Sequence, residues 1–156
     1  RRGAVRNVLV TGGTRGVGLA VASRLAADGY RVFALGRKES EDLKKAIAAY
    51  PVGALNFVPF DLMQVDVIPD LVRDMKAGHG PFYGLVNNAA LGTEGLLSNM
   101  HNSEIERLIR LNTLSPIVLT KYVVRGMMTV QPHKNGGTEV ICSAPYGYDK
   151  TSKRKN

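Results

Sequence analysis

Along the chain, short apolar runs alternate with longer stretches in which apolar residues recur every third or fourth position. The short runs read as strands and the longer ones as helices, from the different side-chain periods of the two structures. The pattern predicts a first strand over 8–10, then a helix over 17–27 with Val21, Ala22, Leu25 and Ala26 on one side and Gly29 as its stop. A second strand is predicted over 31–35 and a second helix over 41–49, with Ser40 as N-cap. The third strand spans 55–60. The third helix spans 66–77, with Pro69 tolerated in its first turn and Gly78 closing it. A fourth strand covers 82–86. A long helix is predicted over 103–128, carrying Ile105, Leu108, Ile109, Leu114, Ile117 and Val118, with a kink or break at Pro116. A fifth strand covers 139–142.

Strands alternating with helices of this length imply an α/β fold, a parallel sheet covered by helices on both faces. At 156 residues the chain is one domain by size. After Ser143 the periodicity dissolves, so the expected organisation is a domain over 1–143 and an irregular basic tail over 144–156. There is no internal repeat and no low-complexity segment.

Composition changes this picture little. The 44% apolar and 22% charged residues are those of a globular protein. No apolar run approaches the roughly 20 residues of a membrane-spanning helix, so no membrane partner is expected. The opening Arg1-Arg2-Gly3-Ala4 fits neither a secretory signal nor a transit peptide. It does not begin with Met, which leaves trimming or a longer precursor open. The single Cys142 excludes an internal disulfide and suits a reducing compartment, so a cytoplasmic location is expected. In the run Val140-Ile141-Cys142 it reads as a buried small hydrophobe rather than a reactive thiol.

The net charge of +8 is unevenly placed. Arg1, Arg2 and Arg6 supply +3 and Lys150, Lys153, Arg154 and Lys155 supply +4, leaving +1 for residues 7–149. A nucleic-acid binder normally carries its basic face on the folded part, so no nucleic-acid partner is expected. His79, His101 and His133 are scattered without metal-ligand spacing. Phe82-Tyr83 reads as packing at the fourth strand rather than as a stacking platform.

The informative chemistry lies in Thr11-Gly12-Gly13-Thr14-Arg15-Gly16-Val17-Gly18, between the first strand and the first helix. Glycines at such a junction permit a tight turn, close approach of backbone to a pyrophosphate, and close packing of helix on strand. The helix N-terminus then favours the anion. Two rival motifs fail. A P-loop would need Lys then Ser or Thr after Gly18, where Leu19 and Ala20 stand, and G-x-G-x-x-G fails because Gly16-Val17-Gly18 is followed by Leu19, Ala20 and Val21.

What is present, T-G-x-x-x-G-x-G, resembles the short-chain dehydrogenase/reductase family, over roughly residues 5–143. The resemblance implies a Rossmann-type doubly wound sheet, here lacking the C-terminal part of the family fold. It implies that Gly12, Thr14, Arg15, Gly16, Val17 and Gly18 hold the cofactor pyrophosphate side. It places Asp61 and Leu62, after the third strand, against adenine, and Asn88, Ala89 and Ala90, in Asn87-Asn88-Ala89-Ala90, on the nicotinamide side. Asn112 of Leu111-Asn112-Thr113 matches a helix-borne active-site Asn. Taken singly, Asp61 reads equally as a helix-capping carboxylate and Asn112 as a solvent-facing polar residue.

An NAD-preferring site carries an acid at the end of the second strand. Here that strand ends Leu35-Gly36-Arg37-Lys38, and Arg37 is able to pair a 2′-phosphate bidentately, with Arg15 as a second candidate. The expected cofactor is therefore NADP(H).

The family's reaction implies hydride transfer between nicotinamide and a carbonyl or hydroxyl carbon of a small-molecule substrate. 3-Oxoacyl-thioester reductases are one analogy the family offers. It uses a Ser that orients the substrate oxygen, a Tyr as proton donor or acceptor, and a Lys that lowers the Tyr pKa from about 10. Ser143 matches the Ser. Tyr146 and Lys150 satisfy Tyr-x-x-x-Lys, but Tyr146 stands three residues after Ser143, where the family interposes a longer loop. Pro145, Gly147 and Asp149 make a poor helix interior, so a chance match stays open beside a working pair. Two readings result: an NADP(H)-dependent oxidoreductase, or a catalytically silent NADP(H)-binding module or truncated product. A homo-oligomer is left open by both.

Overall fold

A computed structural model describes residues 5–128 and, as backbone, the strand Glu139–Cys142. Ser143, Tyr146, Lys150 and the tail lie outside the described residues, as does the side chain of Cys142.

The alternation within each strand decides the layering. Strands β1 (Asn7–Thr11), β2 (Arg31–Gly36), β3 (Leu55–Pro59), β4 (Phe82–Asn87) and β5 (Glu139–Cys142) form one parallel sheet in the order β3-β2-β1-β4-β5. Leu9, Phe33, Leu35 and Leu85 belong to one buried cluster, while Val8, Val10, Val32, Ala34 and Val86 belong to another. Neighbours in sequence thus feed opposite faces, and each face needs a helical cover. Helices α1 (Gly16–Ala27) and α2 (Glu41–Ala49) bring Ala22, Ala26 and Leu43 to the second cluster. Helix α3 (Ile68–His79) and a second helix, Ser115–Met128, bring Ile68, Val72, Met75, Leu119, Val123 and Met127 to the first. The doubly wound α/β expectation is borne out.

Most boundaries agree with the sequence reading to within one residue, and the larger differences lie in the third and fourth helices. The third helix starts at Ile68 after a single 3₁₀ turn, Val65–Val67, and Gly78 lies inside it. Gly80, with φ +89°, ends it, a left-handed angle that glycine adopts without strain. The long fourth helix is α4 (Asn102–Ile109), a π turn (Arg110–Leu114) and α5 (Ser115–Met128) in unbroken succession. The irregularity therefore falls one turn before Pro116. A proline ring presses on the carbonyl four residues back, and the widened turn, in which the Ser115 N–H donates to the Arg110 carbonyl, relieves it.

Strand β1 lies between β2 and β4, so the connections leaving it diverge to opposite sides. Ligands of open α/β sheets bind in the crevice outside the carboxyl ends of the strands at such a switch point. At the opposite edge Tyr83 packs, as expected, with its ring 5.9 Å from that of Tyr30 and the Arg6 guanidinium over both.

Candidate functional site

The end of β1 runs directly into the glycine turn. Gly12 has φ +64° and Gly16 φ +54°, so the turn needs residues free of the left-handed penalty. Gly18 is required for space: a Cβ there would stand 2.2 Å from the Gly12 carbonyl oxygen and 2.4 Å from Asn88 Nδ2. A Cβ on Gly16 would meet nothing within 4 Å, so that glycine faces open space. The cradle is closed on its protein side and open on the other.

The first turn of α1 carries no acid and no side-chain cap, because Arg15 at the N-cap does not turn back on it. The N–H groups that begin a helix without intrahelical partners are thereby left to an incoming anion. Val17, 63% exposed, stands in that turn. Arg15 and Arg37 are both exposed, and neither forms an ion pair among the described residues. Ion pairs among the described residues join Arg24 to Asp28, Lys44 to Glu41, and Arg73 to Asp70 and Asp74. Lys44 and Arg73 have their pKa values raised by hydrogen bonds to Glu41 and to Asp74 and Asp70, on helix surfaces.

Thr11, buried at the end of β1, is the hub of the cradle floor. Its hydroxyl donates to the Val86 carbonyl at 3.4 Å and accepts from the Asn88 and Ala89 N–H groups at 2.9 and 3.0 Å. Asn88 returns the link by donating Nδ2 to the Thr11 and Gly12 carbonyls at 3.0 and 3.3 Å. Asn87 donates Nδ2 to Thr120 Oγ1 on α5 at 2.9 Å. The ends of β1 and β4 are thus tied to each other and to the helix below.

Beyond Asn88 the chain passes Ala89 and Ala90 to Leu91, which Asn112 grips from the π turn. Its Oδ1 accepts the Leu91 N–H and its Nδ2 donates to the Leu91 carbonyl, each at 2.8 Å. Next to it, buried Ser115 donates its hydroxyl toward the Leu62 and Arg110 carbonyls at 2.5 and 2.8 Å. The Leu62 side chain lies in the core, so its neighbour Asp61 is the residue that faces out. Asp61 Oδ1 caps the Met63 N–H at 2.9 Å, and Oδ2 has no hydrogen-bond partner among the described residues. Asp61 lines a cavity of about 350 Å³ with Arg37, Pro59, Phe60 and Gln64. A larger cleft of about 490 Å³ lies along the outer strand, walled by Ile47, Tyr50, Leu55 and Phe57, with Glu39 as its one charged residue.

The residues singled out from sequence between Gly12 and Asn112 therefore gather at the carboxyl ends of β1 to β4. Those the sequence passed over are Thr11, Thr120, Ser115 and the second bond of Ser40. Thr11 opens the glycine motif and so carried a signal. The other three are single hydroxyls whose meaning depends on partners 26 to 53 residues away.

A family profile described as short chain dehydrogenase matches residues 6–153. The chain is 34% identical over 120 residues to the 3-oxoacyl-[acyl-carrier-protein] reductase FabG of Escherichia coli, covering 77% of this chain and 48% of that protein. It spans about half the length of the curated relatives it matches. Among solved structures, it superposes on the 3-oxoacyl-[acyl-carrier protein] reductase from Brucella melitensis in complex with NAD with TM-score 0.77 at 25% identity, covering 88% of this chain and 55% of that one. On a metagenomic short-chain oxidoreductase in complex with NADP the TM-score is 0.71 at 32% identity, with 79% and 57% covered.

Proposed function

The chain belongs to the short-chain dehydrogenase family, and from that premise we propose that it is an NADP(H)-dependent oxidoreductase, with a carbonyl or hydroxyl compound as substrate. The observation that carries this reading is the exposed pair Arg15 and Arg37, without ion-pair partners among the described residues, beside an acid-free helix N-terminus. An acid at the end of β2 would favour the free ribose hydroxyl and repel a 2′-phosphate, whereas guanidinium groups attract it.

The residues present fit a dinucleotide. The open side of Gly16 and the close approach at Gly18 admit a pyrophosphate, and Asp61 Oδ2 is free to accept from an adenine amine. When bound, the nicotinamide supplies or accepts the hydride. Thr11, Asn88 and Asn112 hold the backbone against which that ring would rest. The family resemblance assigns substrate orientation to Ser143, proton transfer to Tyr146 and lowering of the tyrosine pKa to Lys150.

Titration calorimetry with NADPH and NADH tests the cofactor. Tighter binding of NADPH is expected, and equal or reversed affinity removes the NADP(H) assignment. NADPH oxidation with 3-oxoacyl thioesters and simple ketones tests the reaction. Turnover lost in Tyr146→Phe supports the enzyme. Binding without turnover across the panel leaves a silent nucleotide-binding module.

A further inference from the structure

The loop that carries Arg15 and the loop that carries Arg37 belong to different crossovers, yet they are joined by one side chain. Ser40, at the N-cap of α2, donates its hydroxyl hydrogen to the carbonyl of Thr14 and accepts the Leu43 N–H at 3.0 Å. The single hydroxyl hydrogen is committed to Thr14, so Ser40 has no donor left with which to hold an anionic group itself.

What it does hold is the spacing of the two loops. Thr14 immediately precedes Arg15, and its methyl group lies so close to Gly36 that a Cβ there would be 2.5 Å from it. Gly36 immediately precedes Arg37, and its carbonyl accepts the Phe60 N–H at 2.9 Å. The Gly13 N–H donates to the Leu35 carbonyl at 3.3 Å across the same seam. Arg37 is therefore on a three-residue span anchored at Gly36 and at Ser40. Arg15 sits between the tethered Thr14 and the start of α1.

We infer that Ser40 is a positioning residue that sets the preference for the 2′-phosphorylated dinucleotide, by fixing the separation of Arg15 and Arg37. The inference rests on the NADP(H) reading above. A doubly charged phosphate gains most when two guanidiniums reach it without further ordering. A nucleotide that lacks the phosphate does not use that separation. Loosening the tether therefore weakens the phosphorylated ligand selectively, whereas a serine that only capped its helix would leave the ratio of the two affinities unchanged.

The test is calorimetric titration of the full chain with NADPH and with NADH, for the wild type, Ser40→Ala, Ser40→Gly and Ser40→Thr. Glycine is nearly as good an N-cap as serine, so Ser40→Gly removes the tether while sparing α2 even if Ser40→Ala folds poorly. In Ser40→Gly the NADPH affinity is expected to fall about fivefold or more, the equivalent of one ordinary hydrogen bond, with NADH affinity changed by less than about twofold. Ser40→Thr, which keeps the hydroxyl, is expected to restore the wild-type ratio. An NADPH-to-NADH ratio that stays at the wild-type value in Ser40→Gly overturns the role of Ser40 alone. A ratio near one in the wild type overturns the NADP(H) reading, and this inference with it.

Discussion

Asn112 and Leu91 are joined by two hydrogen bonds of 2.8 Å, the side-chain amide of one matching the backbone N–H and carbonyl of the other. A residue 21 positions further along the chain thereby fixes the segment that leaves β4 at the cleft. Asn112 is exposed, so its amide is spent on holding backbone rather than on filling a core.

Removing that grip is expected to have a moderate and local cost. Asn112→Ala loses both bonds at an exposed position, so urea denaturation is expected to register about 1–2 kcal/mol. Asn112→Asp keeps the acceptor for the Leu91 N–H but sets an anionic oxygen against the Leu91 carbonyl, and is expected to be no more stable than the alanine variant. An aspartate variant as stable as wild type would remove the donor bond from the account.

Thr11 is expected to be the costlier hydroxyl. Thr11→Val conserves shape and leaves the buried Asn88 N–H and the half-buried Ala89 N–H without their acceptor, a loss of about 2–4 kcal/mol by denaturant titration. Thr11→Ser retains the oxygen and is expected to recover most of that loss. Equal stability of the valine and serine variants contradicts the hub.

The two glycines of the cradle are expected to separate stability from binding. Gly18→Ala drives a methyl group into the Gly12 carbonyl and abolishes the fold of the turn. Gly16→Ala meets no atom and suffers only the left-handed penalty, about 1 kcal/mol of stability. Its methyl group enters the open side, so NADPH affinity is expected to drop more than tenfold in fluorescence titration. Unchanged NADPH affinity in a folded Gly16→Ala protein would place the ligand elsewhere.

Charge reversal at the end of β2 is expected to invert cofactor choice. Arg37→Asp supplies the acceptor that a ribose 2′-hydroxyl wants and repels a phosphate, so binding of NADPH should weaken by at least about tenfold while NADH holds or gains. The loss should shrink as salt is raised, because the site is exposed. Equal weakening of both nucleotides would show that Arg37 serves the loop and not the phosphate.

Much of the architecture was legible because each strand face and each helix face obeys its own period. Val8 and Val10 on one side of β1 and Leu9 on the other already imply two covers, and the two clusters of the core supply them. The end of α3 was misread at Gly78 because a glycine near a helix end looks like a stop. Only the backbone angle at Gly80 identifies which one leaves the helix. The sequence predicts a kink or break at Pro116, and the proline's effect is instead absorbed upstream by the π turn that carries Asn112. Asp61 is open in the sequence between capping and recognition. In the structure it caps no helix, its Oδ1 accepts the Met63 N–H two residues on, and Oδ2 has no hydrogen-bond partner among the described residues.

By itself the sequence determined the parallel α/β sheet, the glycine turn and the cationic end of β2, because these follow from local periodicity, from the missing Cβ atoms and from charge. Tertiary structure decided which residues act together. Thr11 meets Asn88 and Ala89, Asn112 meets Leu91, Ser115 meets Leu62 and Ser40 meets Thr14, over separations of 21 to 78 residues. Hydrogen bonds of that kind leave no periodic trace in the chain. They depend on the direction in which a single oxygen or nitrogen points once the strands of the sheet have been brought side by side.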